Sequence, residues 1–158
     1  MKDLVSNAIA RNAFLEIIEQ MAVNLRLSLM REAFEAQAAE LKITLKSESD
    51  EEDSLLLYER DELGFGVLVG YFDECWWAGL ALLSKDKAAP TNELAPSVQE
   101  HLRKKGVNVA LKSEHYAFVE LCANEEFSEF LPQVLESFKA NASLLKKLND
   151  ALIDFKAN

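Results

Sequence analysis

The chain predicts an α+β fold: an antiparallel sheet, made of a four-strand meander plus a second hairpin, flanked by long N-terminal and C-terminal helices with a short middle helix. Three observations carry this. No glycine or proline occurs before Gly64, and residues 3 to about 40 repeat apolar positions at helical spacing. Residues 41–83 change to period two or to short apolar runs with brief polar connections. From about Phe127 to Phe155, apolar residues recur at alternating spacings of three and four. At 158 residues the chain fits one domain, with a core that needs no metal or disulfide staple.

Within 1–40 the stripe Leu4, Ala8, Leu15, Ile18, Ala22, Leu25, Leu29, Ala33 describes one amphipathic helix or two closely joined ones. Phe14, Ile17, Met21, Met30 and Phe34 widen it beyond one narrow face, so the element is expected to pack on more than one neighbour. Leu41, Ile43 and Leu45 then alternate with Lys42, Thr44 and Lys46, the pattern of an edge strand. Ser47 to Asp53 places five carboxylates among seven residues, a solvated turn. Ser54 to Glu59, Phe65 to Tyr71 and Trp76 to Leu83 complete a meander over 41–83, because connections this short join antiparallel neighbours.

Lys85 to Asn92 reads as a loop. Pro96 suits a first helical turn, Lys104 and Lys105 complement the carboxyl end, and Gly106 stops a short helix over 96–105. Val107 to Leu111 and Tyr116 to Leu121 form the expected second hairpin, 107–121. The closing helix, 125–156, starts near Asn124 or after Pro132, since proline is tolerated in a first turn and disrupts an established helix. Leu131, Val134, Phe138, Leu145, Leu148, Leu152 and Phe155 share one heptad seam with Asn141 at its middle. That seam suggests self-association through Phe138, Asn141, Leu145, Leu148 and Leu152, against the plainer alternative that it packs on its own sheet.

The net charge is -10, and residues 1–63 hold 14 acidic and seven basic side chains, so 7 − 14 = -7 lies in that part. Such a surface repels nucleic-acid phosphate and attracts a basic protein, although net negative charge also serves solubility alone. No secretory leader pattern follows Met1 and no apolar run is long enough to cross a bilayer, which predicts a cytoplasmic protein without membrane contact. Cys75 and Cys122, 47 positions apart, suit two buried thiols in a reducing compartment, with a single bridge as the alternative.

Catalytic signals are sparse. Only His101 and His115 offer an imidazole base, one among charged residues of a short helix and one in a hairpin turn. A metal site would need Cys75, Cys122 and the histidines to converge from separate elements without local ligand spacing. Gly64, Gly66 and Gly70 imitate a phosphate-loop string but lie in strand-like sequence, where they permit bulges or close packing. No enzyme activity, metal or other cofactor is expected. Trp76 and Trp77 point to opposite faces of a regular strand, so one is a candidate binding anchor. Tyr71 and the acidic turn Asp50, Glu51, Glu52, Asp53 complete the candidate contact set for a protein partner.

The stretch SLLLYERDELGFGVLVGYFDECWWAGLALL, Ser54 to Leu83, with the elements after it, resembles the C-terminal accessory region of some PD-(D/E)XK nuclease superfamily proteins. Such nucleases hold Mg²⁺ with an Asp and a (D/E)xK pair on adjoining strands. Here the usable string is Glu40, Leu41, Lys42, with no Asp-bearing strand before it, so the resemblance implies an accessory or remnant domain without its own active site. LPQVLESFKANASLLKKL is similar to the closing helix of the small acidic chaperones of type III secretion, which usually dimerise. The chain departs from them by a longer leading helix and one extra strand. That resemblance implies binding of a secreted client without catalysis. The expected function is a non-catalytic protein-binding module, chaperone-like or toxin-neutralising as immunity proteins are. The nuclease-type accessory domain and a DNA-mimic inhibitor are the alternatives.

Overall fold

The computed structural model describes residues 2–49, 53–58, 64–83, 96–108 and 117–157. The elements run α1 (Lys2–Glu40), β1 (Lys46–Ser49), β2 (Ser54–Tyr58), β3 (Gly64–Phe72), β4 (Cys75–Leu83), α2 (Pro96–Lys104), β5 (Ala117–Asn124) and α3 (Phe127–Ala157). The five strands form one antiparallel sheet in the order β1-β2-β3-β4-β5. This is the α+β fold with two long flanking helices.

Lys2–Glu40 form one helix. It ends in a Schellman turn: Lys42 N–H reaches Ala39 O at 3.1 Å and Ile43 N–H reaches Ala38 O at 2.8 Å, with Lys42 at φ 58°. This turn consumes the residues where the first strand was expected. Leu41, Ile43 and Leu45 still alternate with more exposed neighbours, but ladder pairing begins only where Lys46 meets Tyr58. The strand therefore sits at 46–49, downstream of its apolar pattern. α2 follows its sequence signals, with Pro96 first and Gly106 at φ 76° closing a second Schellman turn through Val107 N–H to Leu102 O, 2.9 Å.

Of the expected second hairpin, only its first two residues and its later strand fall among the described residues. Val107 and Asn108 follow α2 without strand structure, and residues 109–116 lie outside the described residues. The strand after them, β5, pairs with β4 in register Trp76↔Asn124 and Ala78↔Cys122, with irregularities at Ala78/Gly79 and Leu80/Ala81. The Lys85 to Asn92 loop also lies outside the described residues. α3 starts at Phe127, where Glu126 O accepts the Phe130 N–H at 2.9 Å, and Asn124 Oδ1 takes the Glu126 N–H at 2.9 Å. The helix continues through Pro132.

Side-chain alternation along β2, β3 and β4 sends Leu55, Leu57, Phe65, Val67, Val69, Trp76, Ala78, Leu80 and Leu82 into one core with α1, α2 and α3. The opposite face carries Leu68, Trp77 and Ala81, with Leu56 and Phe72 beside them. Gly70 lies on that second face, opposite Trp77. A Cβ there would come within 2.5 Å of the Phe72 ring and 3.1 Å of Asp53 O, so close packing in the sheet explains this glycine.

α3 is the hub of the core. Phe138 meets Phe34 of α1 edge-on at 5.2 Å between ring centroids. Asn149, 2% exposed, accepts the Phe65 N–H at 2.8 Å and donates to Phe65 O at 3.3 Å. The Tyr71 N–H to Asp53 O bond sets the parity of the β2–β3 ladder, so Phe65 aims its backbone polar groups one residue beyond Tyr58, the end of β2. The Asn149 amide supplies there what a strand backbone would. α2 is held to α3 by His101 Nε2, which donates to Ala151 O at 2.9 Å, and by Lys105 to Asp154 at 2.7 Å.

Candidate protein interface

The residues expected to contact a partner are mostly structural. Trp76 is 1% exposed, at the centre of an aromatic cluster with Tyr71 at 5.0 Å, Phe127 at 5.1 Å and Phe130 at 6.1 Å. Trp77 is on the opposite face, as alternation requires, and is also buried. Neither indole is an exposed anchor, because both faces of β4 are covered. Tyr71 is half-buried. Asp53 accepts from Gln20 Nε2 at 3.0 Å, which ties the β1–β2 connection to α1. Asp50, Glu51 and Glu52 lie outside the described residues. The structure thus brings Asp53, Tyr71 and Trp76 together as a brace between α1, the sheet and the start of α3; Arg26 completes it by lying 5.6 Å over the Phe127 ring.

The C-terminal seam is core. Phe138, Leu145, Leu148 and Leu152 are buried against the sheet and α1, and Asn141 Nδ2 donates to Ser137 O of its own helix at 2.8 Å. Self-association through these residues loses its surface, since satisfying the chain's own sheet uses the same apolar stripe. His101 is likewise more than a solvated helix residue: besides its bond to Ala151 O, its ring lies 5.2 Å from Phe155. His115 lies outside the described residues. Cys75 and Cys122 are free thiols, and burial, with Glu120 nearby, pushes the Cys122 thiol up. Among the described residues no three His, Cys, Asp or Glu converge as metal ligands. Glu40 ends α1 and Lys42 lies in the exposed turn after it, so neither is on a strand.

Among the described residues, every exposed large apolar side chain except Ile153 is on α1. At 1.5 Å per residue its 39 residues span about 58 Å, and every described side chain from Ser6 to Glu19 is exposed. Packing on the body begins near Gln20 and uses Val23, Leu27, Met30, Phe34 and Ala38. Phe14, Ile18, Met21 and Leu25 lie on the other side of the helix, roughly 170° away at 100° per residue. They are 61%, 45%, 64% and 63% exposed. Leu15, Ile17 and Leu29 add to them, whereas Ile9 lies on the side of Val23 and Leu27.

Those seven large apolar side chains, each about half exposed, present on the order of 700 Å². That exceeds the ~300–600 Å² typical of the largest patch on a monomer and approaches the ~800 Å² each partner gives to a standard interface. The sequence reading assigned Ile18, Leu25 and Leu29 to the main stripe, and the structure reverses this. The signal was present in the width of the apolar pattern; which side meets the body depends on Phe34 and Met30 matching α3 and the sheet.

Charge is also uneven along the chain. Residues 1–31 carry four basic and three acidic side chains, 4 − 3 = +1, and the remainder carries 13 − 24 = -11. A nearly neutral apolar arm therefore projects from a strongly acidic body. No described helix is long and apolar enough to cross a membrane. Compared with family models, curated proteins and solved structures, the chain finds no match.

Proposed function

We propose that this chain is a non-catalytic protein-binding module of the chaperone-like or toxin-neutralising kind, which engages protein through the outer face of α1. The observation that carries this is the row Phe14, Ile18, Met21, Leu25 standing exposed opposite the face that packs on the body. Apolar side chains at heptad spacing are the contact set by which one helix recognises another or a hydrophobic groove. The acidic body favours encounter with a basic partner and disfavours nucleic acid. Two free thiols support a reducing, cytoplasmic setting.

A photo-crosslinking amino acid at Met21, with the same group at exposed Lys146 of α3 as control, tests the reading in cells. A protein adduct dependent on position 21 is expected, whether to another chain or to a second copy. No adduct above that at position 146 overturns the reading.

A further inference from the structure

We propose that the occupant of the α1 outer face is α1 of a second copy, paired antiparallel so that Phe14 lies opposite the partner's Leu25 and Ile18 opposite the partner's Met21. This rests on the reading of that face as a protein-docking surface and names what docks there. Phe14, Ile18, Met21 and Leu25 are spaced by four, three and four residues, the alternation of a helix-pairing seam. An antiparallel partner in this register stacks four consecutive apolar layers, and the two-fold axis makes each layer recur by symmetry.

The positions beside the seam sharpen the choice. Leu15, Ile17, Ala22 and Leu29 flank it, so pairing covers a strip wider than the seam alone. The apolar row continues onto Leu25 and Leu29, where the inner face of the helix is already committed to the body. In the antiparallel register those two residues receive the partner's free arm near Phe14 and Ala10. The arm of each copy then lies along the body-supported half of the other, which accounts for an apolar outer face on both halves of one helix.

Charge selects antiparallel over parallel. A parallel pair in register sets Arg11 on Arg11 and Glu32 on Glu32, and brings two bodies of charge -11 side by side. The antiparallel pair sets Arg11 against Ser28 and places the bodies toward opposite ends. The region that comes together carries only +1 per copy, so the large negative charge of the protein stays outside the contact. With on the order of 700 Å² of apolar surface per copy, the contact reaches the size of a standard stable interface.

The test uses the full chain. Light scattering with size exclusion is expected to give twice the 17.8 kDa chain mass at tens of micromolar. Ile18→Glu with Leu25→Glu, both on the side facing away from the body, is expected to weaken pairing by roughly 100-fold or more and leave the circular dichroism of the sheet unchanged. In a Cys75→Ser, Cys122→Ser background, chains with Phe14→Cys mixed with chains carrying Leu25→Cys are expected to form the mixed disulfide. Phe14→Cys alone is expected to form none, because antiparallel copies hold residue 14 roughly 16 Å apart.

A wild-type monomer at about 100 μM, far above a standard-interface dissociation constant, overturns self-pairing. It leaves the position-21 adduct to judge the docking reading separately. A dimer that survives the double glutamate variant, or a Phe14→Cys homodisulfide, overturns the seam or its antiparallel sense.

Discussion

Asn149→Ala tests whether a single amide completes the sheet. The substitution removes the acceptor 2.8 Å from the Phe65 N–H and the donor 3.3 Å from its carbonyl, at a position 2% exposed. Among the described residues neither backbone group has a β2 partner, since that ladder is described only to Tyr58↔Gly66. A buried polar group left unpaired costs about 1–3 kcal/mol, so two such groups predict a loss of about 3 kcal/mol. With a urea m-value of ~2 kcal/mol/M, the midpoint falls by about 1.5 M at unchanged slope. Amide exchange at Phe65 is expected to accelerate more than at Val67, whose β2 partner Leu57 remains.

Asn149→Asp separates hydrogen bonding from packing at the same site. The ionised carboxylate accepts the Phe65 N–H but opposes the Phe65 carbonyl in a buried setting, which raises its folded-state pKa above the ordinary ~3.9. A raised carboxyl contributes stability that is present below the unfolded-state pKa and lost as pH rises through the folded-state value. The variant is therefore expected to be unstable at pH 7 and to recover toward pH 4, where a protonated carboxyl can both donate and accept. A loss below about 1 kcal/mol for Asn149→Ala, with Phe65 exchange unaltered, refutes the reasoning.

Three further outcomes follow from local geometry. Asp73 and Glu74, at φ 49° and 59°, form the two-residue turn between Phe72 and Cys75, a conformation glycine adopts without steric cost; Glu74→Gly is expected to add about 1 kcal/mol, or ~2–4 °C in Tm by calorimetry. Pro132 lies in the sixth position of α3 on an exposed side, and the ~3 kcal/mol helix-interior penalty less ~0.4–1 for its stiffening of the unfolded chain predicts that Pro132→Ala stabilises by about 2 kcal/mol in urea unfolding. The Lys105 ammonium holds the Asp154 carboxyl below its ordinary range, so its contribution is present above pH ~4 and is lost as pH falls through the folded-state value; Lys105→Met should return the Asp154 titration, followed by NMR, to the ordinary range.

What was legible in the sequence depended on how local its cause was. Pro96 and Gly106 delimit α2 because each acts on its own backbone, and the alternation that separates Trp76 from Trp77 needs nothing beyond the pleat. The first strand was misplaced because the Leu41, Ile43, Leu45 alternation is real in burial, whereas ladder pairing is decided by the length of β2. The role of Asn149 required knowing that the described β2 ends at Tyr58 and that Phe65, facing that end, lies 84 positions from the amide that bonds it. The interface was assigned to Trp76 or Trp77, Tyr71 and the acidic turn because alternation shows that the two indoles face opposite ways without showing how completely each face is covered. The two heptad seams show the same limit. The one in α3 and the one in α1 have the same spacing, yet Phe138 meets Phe34 while Phe14 stands 61% exposed.

That contrast bears on why α1 is as long as it is. Residues 6–19 are all exposed, and a helix of about that length is marginal in water on its own. Asn7, Asn12 and the β-branched Ile9, Ile17 and Ile18 give the segment little intrinsic help. A chain needing α1 only for its core could begin near Gln20, where Val23, Leu27, Met30, Phe34 and Ala38 already supply the inner face. Extending the helix upstream adds ordering entropy and exposed apolar area, both unfavourable for an isolated copy. Both costs are offset when the arm lies against another helix, which orders it and covers Phe14, Ile18, Met21 and Leu25 in the same step. Folding of the arm and association are then one event, separate from the core that closes around Trp76, Phe138 and Asn149.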